Sequence, residues 1–143
     1  MKKTDQMTSE LSQVSNRHNT FRDIFKTFQQ NINHLQSDTF PVKGIKLENV
    51  SDKKTLISFI GRTYELNFTS CMVNGAIKGK ISVSRILGEN SANEIASIIY
   101  NGQSIADVAP PQGEDPISLA EDSCCLNLVL NWLSSGIRGQ VYV

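Results

Sequence analysis

The chain has 143 residues, with 14 Lys+Arg against 14 Asp+Glu and a hydrophobic fraction of 39%. A domain of this size buries about 70% of the surface its unfolded form exposes, so neither disulfides nor metals are required to hold it. The hydrophobic fraction excludes a disordered chain, nine Gly and four Pro exclude a collagen-like one, and zero formal charge argues against a generic nucleic-acid binder.

Met1-Lys2-Lys3 carries the charge of a signal-peptide start, but Thr4 to Glu10 contains no apolar run, so no export signal is visible. The longest strongly apolar stretch, Cys124 to Leu133, is broken by Asn127 and Asn131. It is far shorter than the roughly 20 residues a membrane span needs. Cys71, Cys124 and Cys125 match neither a disulfide framework nor a zinc spacing. A soluble, cytoplasmic protein with reduced thiols is expected.

In the N-terminal quarter, Leu11, Val14, His18, Phe21, Phe25, Phe28, Ile32 and Leu35 follow the spacing 3-4-3-4-3-4-3 over 25 residues. That is a helix period, and such a helix would reach about 37 Å. Three Phe in the seam and uncharged Ser15, Gln29 and Asn31, with Ile24, at flanking positions favour core packing over a coiled coil. Ser15 to Asn19 is poor in helix formers, and Thr20 with Asp23 resembles a capping box, so the well-formed helix is expected to begin near Thr20. Residues 1–19 are then a flexible N-terminal segment and residues 20–143 a single domain. Phe40-Pro41 should end the helix, because the residue before proline is pushed toward extended geometry.

From Val42 the period becomes two. Asn74-Gly75 suits a type I′ hairpin turn and sets Val73 opposite Ala76, Phe68 opposite Ile81, Leu66 opposite Val83 and Tyr64 opposite Arg85. Gly61-Arg62 suits a type II′ turn that pairs Phe59 with Tyr64 and Ile57 with Leu66 on the same apolar face. Residues 91–102 read two ways. Ser91 with Glu94 opens a capping box, whereas Asn101-Gly102 makes a hairpin that places Ile98 opposite Ile105. The hairpin is favoured, since Ile and Tyr suit strands. Ala109 to Gly113 is a loop. Asp115-Pro116 is a good N-cap and N1 pair for a helix running to Gly136 as its C′ residue, surrounded by apolar residues and central to the core. Val141 to Val143 could add a short strand. The expected fold is α+β: an N-terminal helix, an antiparallel β-meander of five to six strands, and a C-terminal helix packed on the apolar face of the sheet.

Chemistry is sparse. There is no P-loop, nucleophile elbow or dinucleotide fingerprint. His18 and His34, 16 residues apart on one helix, point about 160° from each other and cannot share a metal within the chain. His18 reads as a half-buried packing residue and His34 as a solvated one. Cys124 and Cys125 sit in apolar helix beside Glu121 and Asp122, a setting for inert thiols, and no histidine is placed to activate Cys71. No cofactor, metal site or enzymatic activity is expected.

Charge is unevenly distributed. Residues 1–86 carry a balance of +6, and residues 87–143 a balance of −6 with Arg138 as their one basic residue. The acids Asp107, Glu114, Asp115, Glu121 and Asp122 crowd toward the last helix, where they either complement its dipole or form a partner-binding surface. Lys78, Lys80 and Arg62 accompany Thr69, Asn67, Ser82 and Ser84 on the polar sheet face, which lacks the aromatic platform of single-strand binders. The leading expectation is a small non-enzymatic protein-binding module of the immunity or antitoxin type, whose acidic segment covers a basic cleft of a toxin such as a nuclease. The alternatives are a secretion-chaperone-like effector binder, with a homodimer through the N-terminal helix, and an RNA-binding module on the basic face. Nucleic acid and membrane are not the expected partners.

Overall fold

The computed structural model describes residues 2–108 and 113–138. Its elements in order are α1 (Lys2–Asn31), a 3-10 turn (Ile32–Gln36), β1 (Lys46–Ser51), β2 (Lys54–Phe59), β3 (Arg62–Val73), β4 (Ala76–Gly88), β5 (Ser91–Tyr100) and α2 (Asp122–Arg138). The five strands form one antiparallel sheet in the order β1-β2-β3-β4-β5, so the α+β meander expected from sequence is what the chain forms.

The β3–β4 hairpin follows its sequence register throughout. Asn74 and Gly75 take φ of 51° and 81°, and Phe68 faces Ile81, Leu66 faces Val83 and Tyr64 faces Arg85. The β2–β3 turn differs. Its central residues are Ile60 and Gly61, at φ of 46° and 75°, and Phe59 pairs with Arg62 and Ile57 with Tyr64. Pairing shifts by two residues, an even number, so the buried face is unchanged. A β-branched residue in the left-handed region costs about 1–2 kcal/mol. Against that cost, Thr55 falls opposite Leu66 on the inner face, where its hydroxyl accepts from Gln29 Nε2 at 2.9 Å and donates to Asn49 Oδ1 at 2.8 Å.

Residues 91–100 are a strand rather than a helix, but Ile98 does not face Ile105: on that side Tyr100 pairs with Ala106 and Asp107 N donates to Ile99 O. The reversal after Tyr100 is wider than a two-residue turn. Asn101 Oδ1 accepts from the N–H groups of Gln103 and Ile105, an Asx-type closure, and the strands meet again at Tyr100 and Ala106.

Both helices lie on the apolar sheet face. Phe25 sits 5.9 Å from Phe68 and 6.1 Å from Phe28, and Phe28 is 6.1 Å from Trp132 of α2. Tyr100, fully buried, donates its hydroxyl to Phe21 O at 2.7 Å. It lies flat over Gly79, where an added Cβ would stand 2.4 Å from the ring. Gln29, buried at 5% exposure, ties α1 to the β1–β2 turn by donating to Ser51 O at 2.8 Å.

Helix boundaries move in three places. First, α1 begins at Lys2, not near Thr20. The Thr20 hydroxyl donates back to Asn16 O at 3.1 Å, inside the helix, and so is not spent as a cap. Second, α1 tightens into the 3-10 turn that buries Ile32 and Leu35, and extended Ser37 ends it before Phe40-Pro41 is reached. Third, α2 begins at Asp122 instead of following Asp115-Pro116. Residues 117–119 are held extended beside 104–106, with Ala106 N donating to Ile117 O and Leu119 N to Ser104 O, so they cannot also wind into a helix. Gly136 is not a C′ residue: it lies inside α2, where the Tyr64 ring occupies the space a Cβ would need, 2.6 Å away. Residues 109–112 of the expected Ala109–Gly113 loop, and the expected Val141–Val143 strand, lie outside the described residues.

Candidate interaction surfaces

Helix α1 divides into two halves with one continuous face. From Phe21 onward its stripe is covered by the sheet, with Phe21, Phe25, Phe28, Ile32 and Leu35 all at 5% exposure or less. His18 marks the edge of this cover. It is half-buried, its ring centroid 5.3 Å from that of Phe68 and its Nδ1 2.6 Å from Ser70 Oγ. Residues 4–17 are exposed throughout, yet the stripe continues through Val14, Leu11 and Met7, which are 46%, 66% and 60% exposed. Met7 extends the 3-4 spacing by one more step than the seam starting at Leu11 had suggested. Met72, on the tip of the β3–β4 hairpin, is 66% exposed as well.

The five acids marked out from sequence are tied to different elements. Asp107 Oδ2 is 3.3 Å from Lys78 Nζ on β4, beside the bond from Asp107 N to Ile99 O. Asp122 Oδ2, in the first turn of α2, is 3.2 Å from His34 Nε2, just beyond α1. Glu121 precedes the helix and accepts from the Cys124 thiol at 3.7 Å. Glu114 and Asp115 are exposed and enter no ion pair among the described residues. The fold therefore leaves Glu114, Asp115 and Glu121 open to solvent, and sets Asp107 against Lys78 and Asp122 against the His34 imidazole of the chain itself.

On the uncovered sheet face, Lys54 Nζ and Asn67 Nδ2 approach Glu65 Oε1 at 3.1 and 2.9 Å. The Asn67 bond and then Lys54 hold the Glu65 carboxyl below its ordinary 4.5. Lys78 and Lys80 belong to this face. Arg62 does not: it shares the side of Tyr64 and Leu66, and its Nη1 donates to Gly136 O at 2.9 Å, satisfying a carbonyl in the last turn of α2. The basic face is smaller by that one residue.

Cys125 is buried, and its Sγ donates to Leu119 O at 3.2 Å, while Asn31 Nδ2 donates to the same carbonyl at 3.1 Å. Burial pushes the thiol up to about 12, with the Asn31 contact opposing. This is an inert cysteine that joins α1, the 117–119 segment and α2. Cys71 and Cys124 are half-buried free thiols. Among the described residues no group of three His, Cys, Asp or Glu is placed to hold a metal, and no helix is long and apolar enough to cross a membrane. A cavity of about 380 Å³ opens between α2 and the β2 side of the sheet, lined by Val42, Ile45, Phe59, Leu130, Leu133 and neighbouring residues. Its walls are apolar, and Ser134 and Arg138 are its polar members.

Comparison with family models, curated proteins and solved structures yields no match.

Proposed function

We propose that this chain is a non-enzymatic, cytoplasmic protein-binding module that docks its partner on the projecting half of α1. The observation that carries this reading is the run Met7, Leu11 and Val14, exposed at 60%, 66% and 46% in line with a stripe that the domain buries further along. Contiguous exposed apolar residues on an otherwise polar helix mark interaction sites. The composition of residues 4–17 adds a second argument. Five Ser or Thr and one Asn make this segment a weak helix former, and an isolated helix of this length is marginal in water. Burial of its stripe against a partner supplies the missing stabilisation. Photo-crosslinking from positions 7 and 11, with position 9 on the opposite face as control, tests the reading. Covalent products from 7 and 11 but not from 9 are expected, and equal yields from all three would refute it.

The inhibitor reading has its own support in Glu114, Asp115 and Glu121, which are exposed and free to meet a basic cleft, such as that of a nuclease toxin. It loses ground at Asp107, whose nearest cation is Lys78 of the same chain, and Asp122 is turned toward the His34 imidazole. Neutralising Glu114, Asp115, Glu121 and Asp122 together should then weaken partner binding at low salt. Unchanged affinity would eliminate it.

A further inference from the structure

We infer that the partner of the projecting α1 stripe is a second copy of this chain, joined in one antiparallel helix register. This rests on the reading of α1 as the docking surface. In an antiparallel helix pair, each position of the seam faces the other seam position of its partner, so Leu11 can lie opposite Val14 of the second copy, and Val14 opposite its Leu11. The twofold axis passes between residues 12 and 13, and the shared seam ends where His18 packs on Phe68 and Ser70 of its own domain.

The flanking residues select this register. Glu10 precedes Leu11, and Arg17 follows Val14 by three positions, so both border the same edge of the seam. Across the twofold axis Glu10 meets Arg17 twice. On the other edge Thr8 meets Ser15, and neither is charged. Sliding the helices by one heptad, with Leu11 opposite Met7, brings Glu10 against Glu10 of the second copy, a like-charge contact on the axis. A parallel pair sets Glu10 near Ser15 and gains no ion pair. Neither Glu10 nor Arg17 forms a salt bridge within the described residues; Glu10 accepts one exposed bond, from Gln6 Nε2 at 3.3 Å. The apolar seam supplies the attraction, and the charges fix orientation and register.

Sedimentation equilibrium of the full chain, with Glu10→Arg, Arg17→Glu and the double swap, tests this. A wild-type dimer is expected below about 100 µM, a concentration reached by even weak specific pairs. Each single swap replaces two attractive contacts with two repulsive ones and should raise Kd roughly 10- to 100-fold, and the double swap should restore it. Mixing the two single variants opposes the arginines at positions 10 and 17 of one copy to the glutamates at positions 17 and 10 of the other and should also form dimers. A monomeric wild-type protein overturns the second copy as partner. Dimers indifferent to the swaps overturn the register. Crosslinks from position 11 to a different protein, with a monomer in solution, would leave the α1 docking surface standing and remove the self-association. Absence of both removes the two together.

Discussion

Substituting Gly79 by Ala tests how the β4–β5 half of the sheet meets α1. A Cβ on Gly79 would stand 2.4 Å from Tyr100 Cζ, 2.5 Å from Cε2 and 2.7 Å from the hydroxyl oxygen. The ring cannot simply rotate away, because it is fully buried, lies edge-on to Phe21 at 6.0 Å and donates to Phe21 O at 2.7 Å. Overpacking of this kind costs about 1–3 kcal/mol. Displacing the hydroxyl from its carbonyl strands a buried donor and acceptor, for a further 1–3 kcal/mol or so. The change from Gly to Ala within a strand returns roughly 0.5–1 kcal/mol. A net loss of about 2–4 kcal/mol, or roughly 6–15 °C in Tm, follows for a domain near this size. Urea and thermal unfolding can be followed by circular dichroism and by the fluorescence of Trp132, the single tryptophan, buried at 2% exposure. Tyr100→Leu removes the ring, so Gly79→Ala in that background should cost nothing or stabilise. Wild-type stability of Gly79→Ala, or an equal cost in both backgrounds, would refute the packing argument.

Two further outcomes concern single polar atoms. The Tyr64 hydroxyl is buried and has no hydrogen-bond partner among the described residues, so Tyr64→Phe should leave stability unchanged or raise it by up to about 1 kcal/mol. A loss larger than that in urea unfolding would reveal a partner for the hydroxyl. Glu65 is held below its ordinary 4.5 by Asn67 and Lys54, so its contribution is complete above that value and disappears as pH falls through the lowered one. Glu65→Gln should therefore be less stable than the parent at pH 7, with the difference closing as pH falls below the ordinary carboxylate range; a gap independent of pH would contradict the assigned cause.

The strand half of the fold was readable because two constraints coincided there. Asn74-Gly75 demanded positive φ twice, and the period of two then carried the register along all of β3 and β4. The β2–β3 turn shows the limit of that logic: Gly61 marked the place, but whether it stands first or second in the turn depends on Thr55, Asn49 and Gln29 meeting across 26 residues of sequence. The late start of α2 has a similar origin. Asp115-Pro116 is a sound helix start locally, and it is overridden because Ile117 to Leu119 pair with a segment that the Asn101 turn brings alongside. Helix propensity misled at Ser15 to Asn19, where Arg17, His18 and Thr20 lie on a helix whose register is set by the Phe residues beyond. For the candidate surface, the stripe itself was legible from Leu11 to Leu35. Which half of it the domain covers was not, since that follows from the lengths of β3 and β4.

The opposed charges of the two halves of the chain are best understood through the same topology. A meander lays β5 against β4, and the last helix packs beside the first, so the acidic half is folded onto the basic half along most of its length. Lys78 with Asp107 and His34 with Asp122 are contacts across that division, each between residues far apart in sequence. Exposed pairs of this kind are worth only about 0–1 kcal/mol each, so they do not hold the fold together. Their consequence is on the surface: Asp107 is matched internally by Lys78 and Asp122 is turned to the His34 imidazole, so three of the five acids have no such contact within the described residues. The apolar seam at Met7, Leu11 and Val14 meets no such internal match, because the sheet that covers the rest of the stripe stops at His18 and Ser70. An interface built on that seam would draw its affinity from apolar burial and its specificity from Glu10 and Arg17. Salt should then weaken it only modestly, in contrast to the steep salt dependence expected of a partner held by the acidic segment.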